Sequence, residues 1–144
     1  MANVFDVAKY ILQKTGKIST WKLQKLCYYA QAWSIVWTGI PLFNEEFEAW
    51  RNGPVCPELF RQHKGMYNID AETLIAGDSC NLTDDEKDSI ESVLDVYGKW
   101  QPYQLAEQTH YEAPWRDARE NLGVLEHGHN VISKGAMSDY YGAL

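Results

Sequence analysis

The feature that most constrains this fold is the segment 20–38, which has helical spacing but apolar residues on more than one face. Ser19 or Thr20 can cap its start, and Gly39 and Pro41 mark its end. A helix that is apolar nearly all round is normally buried, so we predict a central helix over 20–38. Its main apolar stripe is Leu23, Leu26, Cys27, Ala30, Trp33 and Trp37, and outside that stripe lie Tyr28, Tyr29, Ile35 and Val36.

Shorter helical patterns surround this segment, and they predict a mainly α, compact bundle of about six helices. The whole chain, 1–144, is expected to be a single domain. Residues 66–82 are predicted to be a loop with at most one helical turn, and residues 121–131 are predicted to be a loop. At most a small β element is expected near 46–56, where Phe47 and Ala49 alternate with glutamates. The other helices are predicted to begin near Asn3, Pro57, Thr83, Gln101, Arg116 and Ser133.

The charge distribution argues against general nucleic-acid binding. The net charge is −7, whereas phosphate backbones require clusters of lysine and arginine. Residues 1–40 hold five Lys and one Asp, a balance of +4, and residues 41–144 hold eight Lys or Arg and nineteen Asp or Glu, a balance of −11. We therefore predict a basic end and an acidic body.

The cysteines and the hydropathy indicate a soluble protein of the cytoplasm. Cys27, Cys56 and Cys80 are odd in number, and no two have the CxxC spacing of a disulfide framework or a zinc knuckle. The N-terminus is amphipathic, unlike a signal peptide. The longest apolar stretch, 26–40, is too short and too polar to cross a bilayer.

Two groups of polar residues have the chemistry of an active site without its full complement. His110 and Glu112, beside Trp115, can form a base and its orienting group, but no nucleophile is identified. His127 and His129 can chelate a metal, but no further ligands have suitable spacing. With His63, these residues define an alternative hypothesis, a small hydrolase or metal enzyme. The favoured interpretation has no catalytic residue, no metal and no cofactor.

A further alternative is a DNA-binding regulator that uses the basic N-terminal end. The first two predicted helices resemble a helix-turn-helix, and only Lys22 and Lys25 are well placed to meet phosphates. The second helix is too apolar to lie in a groove, so we favour a core helix with a solvated lysine end.

Five motifs, in order over nearly the whole chain, carry a resemblance to a known family. Residues 22–33, KLQKLCYYAQAW, resemble the KLQKLLYYAQAW signature of the SocA-like antitoxin family, also called the Panacea domain. Residues 41–50 match its PLF…E-F-x-AW, and residues 53–60 match GPV-x-P-x-L-Y with Phe in place of Tyr. Residues 105–115 match L-x-x-x-T-H-x-E-x-PW, and 132–141 resemble IS…YF.

The resemblance implies a compact helical domain whose partner is a toxin encoded by a neighbouring gene, often in phages. Members of this family neutralise the toxin by direct contact, and at least one branch is an adaptor that delivers it to a Clp-type protease. Family toxins are diverse, so the identity of the partner is not implied. The family brings no catalytic residues.

The segment 47–55 is the predicted partner-binding site, because it combines a large ring, a close-approach glycine and a rigid proline. The competing interpretation is that Trp50 and the Gly-Pro turn lock the domain internally, against the central helix and Trp115. The predicted binding residues are Phe47, Trp50, Arg51, Asn52, Gly53, Pro54 and Val55. The signature residues expected to be structural are Leu23, Lys25, Leu26, Tyr28, Tyr29, Trp33, Thr109, His110, Glu112, Pro114 and Trp115.

Overall fold

The predicted mainly α fold is confirmed. The structure, a computed structural model, describes residues 1–123 and 125–144. These residues form seven α-helices, where about six were expected, and a short 3₁₀ helix at Ser79–Asn81. The helices are α1 (Val4–Thr15), α2 (Thr20–Thr38), α3 (Pro57–His63), α4 (Asp84–Tyr97), α5 (Pro102–Tyr111), α6 (Ala113–Ala118) and α7 (Lys134–Gly142).

Side-chain caps explain where the helices begin. Asn3 and Asp6 form a capping box at the start of α1, and Thr83 and Glu86 form another at the start of α4. Ser19 accepts a hydrogen bond from a backbone N–H in the first turn of α2. Each cap satisfies backbone donors that the helix itself leaves free, so these boundaries were readable in the sequence.

Helix α2 is the centre of the domain and packs against α1, α4, α5 and α7. It also buries glutamines, which hold segments of irregular backbone against it. The Gln31 amide accepts from the Leu42 N–H and donates to the Phe43 carbonyl, both at 2.8 Å. Gln24 makes the same pair of bonds with the backbone of Cys56. No helix in the described part of the chain, α2 included, is long and apolar enough to span a membrane.

The strands are short and more widely spread than predicted. The expected β element is a hairpin of β2 (Phe47–Trp50) and β3 (Gly53–Val55). Strand β5 (Val131–Ile132) adds to the other side of β2, and β1 (Ile18–Ser19) pairs with β4 (Asn68–Ile69), all antiparallel. The predicted loops at 66–82 and 121–131 thus each contain strand residues. Two residues are too few to show an alternating pattern.

The sixth helix begins earlier than predicted. It runs over Ala113–Ala118, whereas we predicted a start near Arg116. Pro114 lies in the first turn, where backbone N–H groups have no partner within the helix. A proline is therefore tolerated there, and the helix begins before it.

Candidate protein-binding surface around a β-hairpin

The β2–β3 hairpin lies directly on helix α2. Its turn residues are Arg51 and Asn52, and Gly53 begins the return strand with a φ of +122°, a conformation that L side chains rarely adopt. A Cβ at Gly53 would lie 2.5 Å from Cε of Lys25, far inside normal contact. Glycine is required here for both backbone conformation and close approach.

Two side chains after α5 hold the hairpin from its other side. The Trp115 indole N–H donates to the Trp50 carbonyl at 2.8 Å, and the Arg119 guanidinium donates to the Ala49 carbonyl at 2.9 Å. The guanidinium also lies 5.0 Å from the Trp115 ring centroid and donates to the Gly123 carbonyl. Arg119 is buried. The sequence did not predict its structural role, because its partners are backbone carbonyls and no pattern of side chains indicates them.

Aromatic side chains surround the outer face of the hairpin turn. Two recesses, of about 210 and 250 Å³, meet at Trp21 and Asn52. The Trp21 side chain is 38% exposed and that of Tyr103 is 67% exposed. We define the hairpin surface as Trp21, Trp50, Arg51, Asn52, Phe60 and Tyr103.

The predicted binding segment divides into surface and support. Trp50 and Arg51 are half-buried and Asn52 is exposed, so their side chains are accessible to a partner. The remaining four members, Phe47, Gly53, Pro54 and Val55, are buried. In this conformation they position the turn and offer no side chain to a partner. The candidate site therefore consists of the turn residues together with aromatic side chains from other elements.

Trp50 also packs internally. Its ring meets Phe60 edge-on at 5.1 Å and His129 at 5.6 Å, and its N–H donates to Glu48 at 2.8 Å. The atom that meets Trp115 is the Trp50 backbone carbonyl rather than the ring. Trp50 therefore both fixes the turn and forms part of the hairpin surface.

Several signature residues meet in the core at Glu112. Its Oε1 accepts from the hydroxyls of Tyr29 at 2.8 Å and Tyr141 at 2.7 Å, and its Oε2 accepts from Gln108 at 3.0 Å. Burial, above all, raises the pKa of both tyrosine hydroxyls, so they remain protonated donors. The other signature residues in the core are Leu23, Leu26, Tyr28, Thr109, Pro114 and Trp115, with Trp33 packed beside it.

The structure gives the histidines of the enzyme hypothesis separate neighbours. The His110 ring stacks on Trp115 at 4.0 Å, and the described partners of Glu112 are Tyr29, Tyr141 and Gln108 rather than His110. His63 is buried against Gln24, and His129 lies 3.3 Å from Glu48. Within residues 1–123 and 125–144, no cluster of three or more His, Cys, Asp or Glu is placed to hold a metal ion.

Two of the cysteines are inert core thiols in this structure. Cys27 and Cys56 are fully buried, and burial raises both thiol pKa values, that of Cys56 to about 12. Cys80 is exposed. Cys56 precedes the first residue of α3, a position that can activate a thiol, but its burial disfavours the thiolate here.

Lys25 is the residue whose position differs most from expectation. The sequence indicated a solvated lysine end for α2, yet the Lys25 side chain is 1% exposed. Its Nζ has no hydrogen-bond partner among the described residues and lies 5.0 Å from the Trp21 ring centroid. Desolvation lowers its pKa to about 7. The DNA-binding hypothesis thus loses one of its two best-placed lysines.

Comparison with known proteins agrees with the motif resemblance. The family model of SocA-like antitoxins, Panacea domain, matches residues 23–116, which include most of α2, the hairpin and α5. Antitoxin SocA of Caulobacter vibrioides (strain NA1000 / CB15N) is 44% identical over 59 residues, which are 38% of this chain and 31% of that protein. The chain thus matches about a third of the length of that relative. No solved structure matches the chain significantly.

Proposed function

Because the chain belongs to the SocA-like antitoxin family with its Panacea domain, we propose that it is an antitoxin that neutralises a cognate toxin by direct contact. The observation that carries this proposal is the family match over 23–116, which includes the whole hairpin and most of α2, on which the hairpin lies. The family points to a non-enzymatic, protein-binding role. The proposed setting is the cytoplasm, and the proposed partner is encoded by a neighbouring, phage-associated gene.

We propose the hairpin surface as the toxin-binding site. Tryptophan, tyrosine and arginine contribute most to the centres of protein interfaces, and here they surround one exposed turn. Trp115 and Arg119 hydrogen-bond the backbone of the strand that leads into the turn, so little ordering entropy is lost when a partner binds. A rigid aromatic surface of this kind suits recognition of another protein.

Direct contact can neutralise a toxin by two routes, blocking of its active surface or delivery to a protease. We propose contact at the hairpin surface as the step that both routes share. Delivery to a Clp-type protease is the finer version of the proposal, and it requires a second surface on the antitoxin that remains free in the complex.

Co-expression tests the proposal. The product of the neighbouring gene is induced alone and together with the chain, and growth is recorded. We expect growth arrest without the chain and recovery with it. Persistent arrest at equal protein levels, together with no co-purification of the two proteins, contradicts the proposal.

The half-life of the toxin separates the two routes. Its decay is followed after translation is stopped, in cells with and without the Clp-type protease. Rapid decay that requires both the chain and the protease indicates an adaptor. A toxin that stays at constant level while growth recovers indicates steric neutralisation.

A further inference from the structure

The ε-amine of Lys25 is a buried hydrogen-bond donor without an acceptor. The side chain is 1% exposed, and no described residue accepts a hydrogen bond from Nζ. Burial of an unpaired amine is unfavourable by several kcal/mol in proteins generally, and it is normally relieved by a carboxylate or carbonyl. Among the described residues no such acceptor is present, so the amine is available to an acceptor from outside the chain.

Lys25 lines the smaller of the two recesses, together with the aromatic rings of Trp21 and Tyr103 and with Asn52 of the hairpin turn. The recess volume of about 210 Å³ is enough for the side chain of an aspartate or glutamate. The flexible four-carbon stem of Lys25 lets Nζ move toward the recess, and the Asn52 amide can donate a second hydrogen bond there.

The charge around the recess favours an anion. Lys25 is the charged residue among those described that line this recess, and Arg51 lines the neighbouring one. Desolvation lowers the pKa of Lys25, and no carboxylate among the described residues offsets this by raising it. An acidic group arriving from outside would meet cations here, although the protein as a whole carries a net charge of −7.

We propose that this recess is a carboxylate-binding site, into which an aspartate or glutamate side chain of the toxin inserts and pairs with Lys25. The inference rests on the proposed function, because it names the chemistry by which the toxin is recognised. Within the hairpin surface, the Lys25 recess would take the acidic anchor, and the neighbouring rings would bury the apolar residues around it.

The first test compares variants in binding to the neighbouring gene product. Lys25→Met keeps the volume and removes the donor, and a lost charged hydrogen bond corresponds to roughly ten- to hundred-fold weaker binding. Asn52→Asp places a carboxylate at the rim and is expected to weaken binding similarly by repulsion. Asn44→Asp, an exposed control outside the recess, is expected to bind like wild type. Unchanged affinity in Lys25→Met, with wild-type melting behaviour or better, overturns the proposal.

The second test uses acetate as the probe and needs no toxin. Acetate is titrated into the purified protein at constant ionic strength, and the ¹³Cε and ¹⁵Nζ signals of the lysines are followed by NMR. We expect a saturable change at Lys25 that exposed Lys64 does not show and that Asn52→Asp weakens. If the wild-type chain fails to bind the toxin, the proposed function is wrong. The acetate titration then tests separately whether the recess binds a carboxylate. A saturable change supports a carboxylate site, and its absence overturns it.

Discussion

Substitution of Lys25 by methionine should make the protein more stable, and by an amount that depends on pH. Methionine has nearly the same length and no charge, so it fills the same space without an unpaired donor. The Lys25 pKa falls from 10.5 to about 7 on folding, because the buried site disfavours the ammonium form. The folded state therefore binds fewer protons than the unfolded chain between these two pH values.

The size of the effect follows from proton linkage. Because the folded pKa is the lower one, the penalty of Lys25 is fully present below about pH 7 and falls as pH rises toward 10.5. At about 1.4 kcal/mol for each pH unit between the two pKa values, the penalty is roughly 5 kcal/mol near pH 6 and roughly 2 kcal/mol near pH 9. The advantage of Lys25→Met over wild type should therefore shrink by about 3 kcal/mol across this range.

Urea unfolding of both proteins from pH 6 to pH 9 measures this difference. His63 and His110 also titrate in this range. Lys25 helps to lower the pKa of both histidines, so the comparison is read from about pH 7.5 upward, where both imidazoles are neutral in both proteins. The control is Lys22→Met, one helical turn away at a half-exposed position, for which we expect a change within about 0.5 kcal/mol. A variant less stable than wild type at pH 7, or an advantage that does not change with pH, refutes the reasoning.

Three further changes test the core, the hairpin and the thiols. Glu112→Ala leaves the hydroxyls of Tyr29 and Tyr141 without an acceptor in the core, and urea unfolding should show a loss of about 3 to 5 kcal/mol. Gly53→Ala forces a Cβ onto the buried lysine stem and should lower stability by about 1 to 3 kcal/mol by the same measurement. A thiol reagent at pH 8 should modify Cys80 rapidly in the native protein, and it should modify the two buried cysteines only when the protein unfolds.

The parts of the fold that the sequence predicted are those with local signals. Helix α2 was predictable because its apolar residues face every direction, and α4 because Thr83 and Glu86 form a capping box. Strands β1, β4 and β5 have two residues each, and their partners are distant in sequence. Nothing local distinguishes such strands from loops, so they were missed.

The candidate site was only partly predictable for the same reason. Residues 50–52 were predicted as binding residues from the turn chemistry, whereas Trp21, Phe60 and Tyr103 join them only through the fold. Lys25 was named among the structural signature residues and was also placed at a solvated lysine end of α2, because lysine is usually solvated. The signal against solvation was that α2 is apolar on more than one face, which leaves little exposed surface along its middle.

The most direct test of the account is calorimetric binding of the purified chain to the neighbouring gene product, with two matched tryptophan variants. Trp21 lies on the hairpin surface, and Trp37 is exposed near the other end of the same helix, about 24 Å away at 1.5 Å per residue. We predict that wild type binds, that Trp21→Ala weakens binding at least about 30-fold, and that Trp37→Ala has no effect. Absence of binding contradicts the antitoxin function, and equal losses in the two variants contradict the assigned surface.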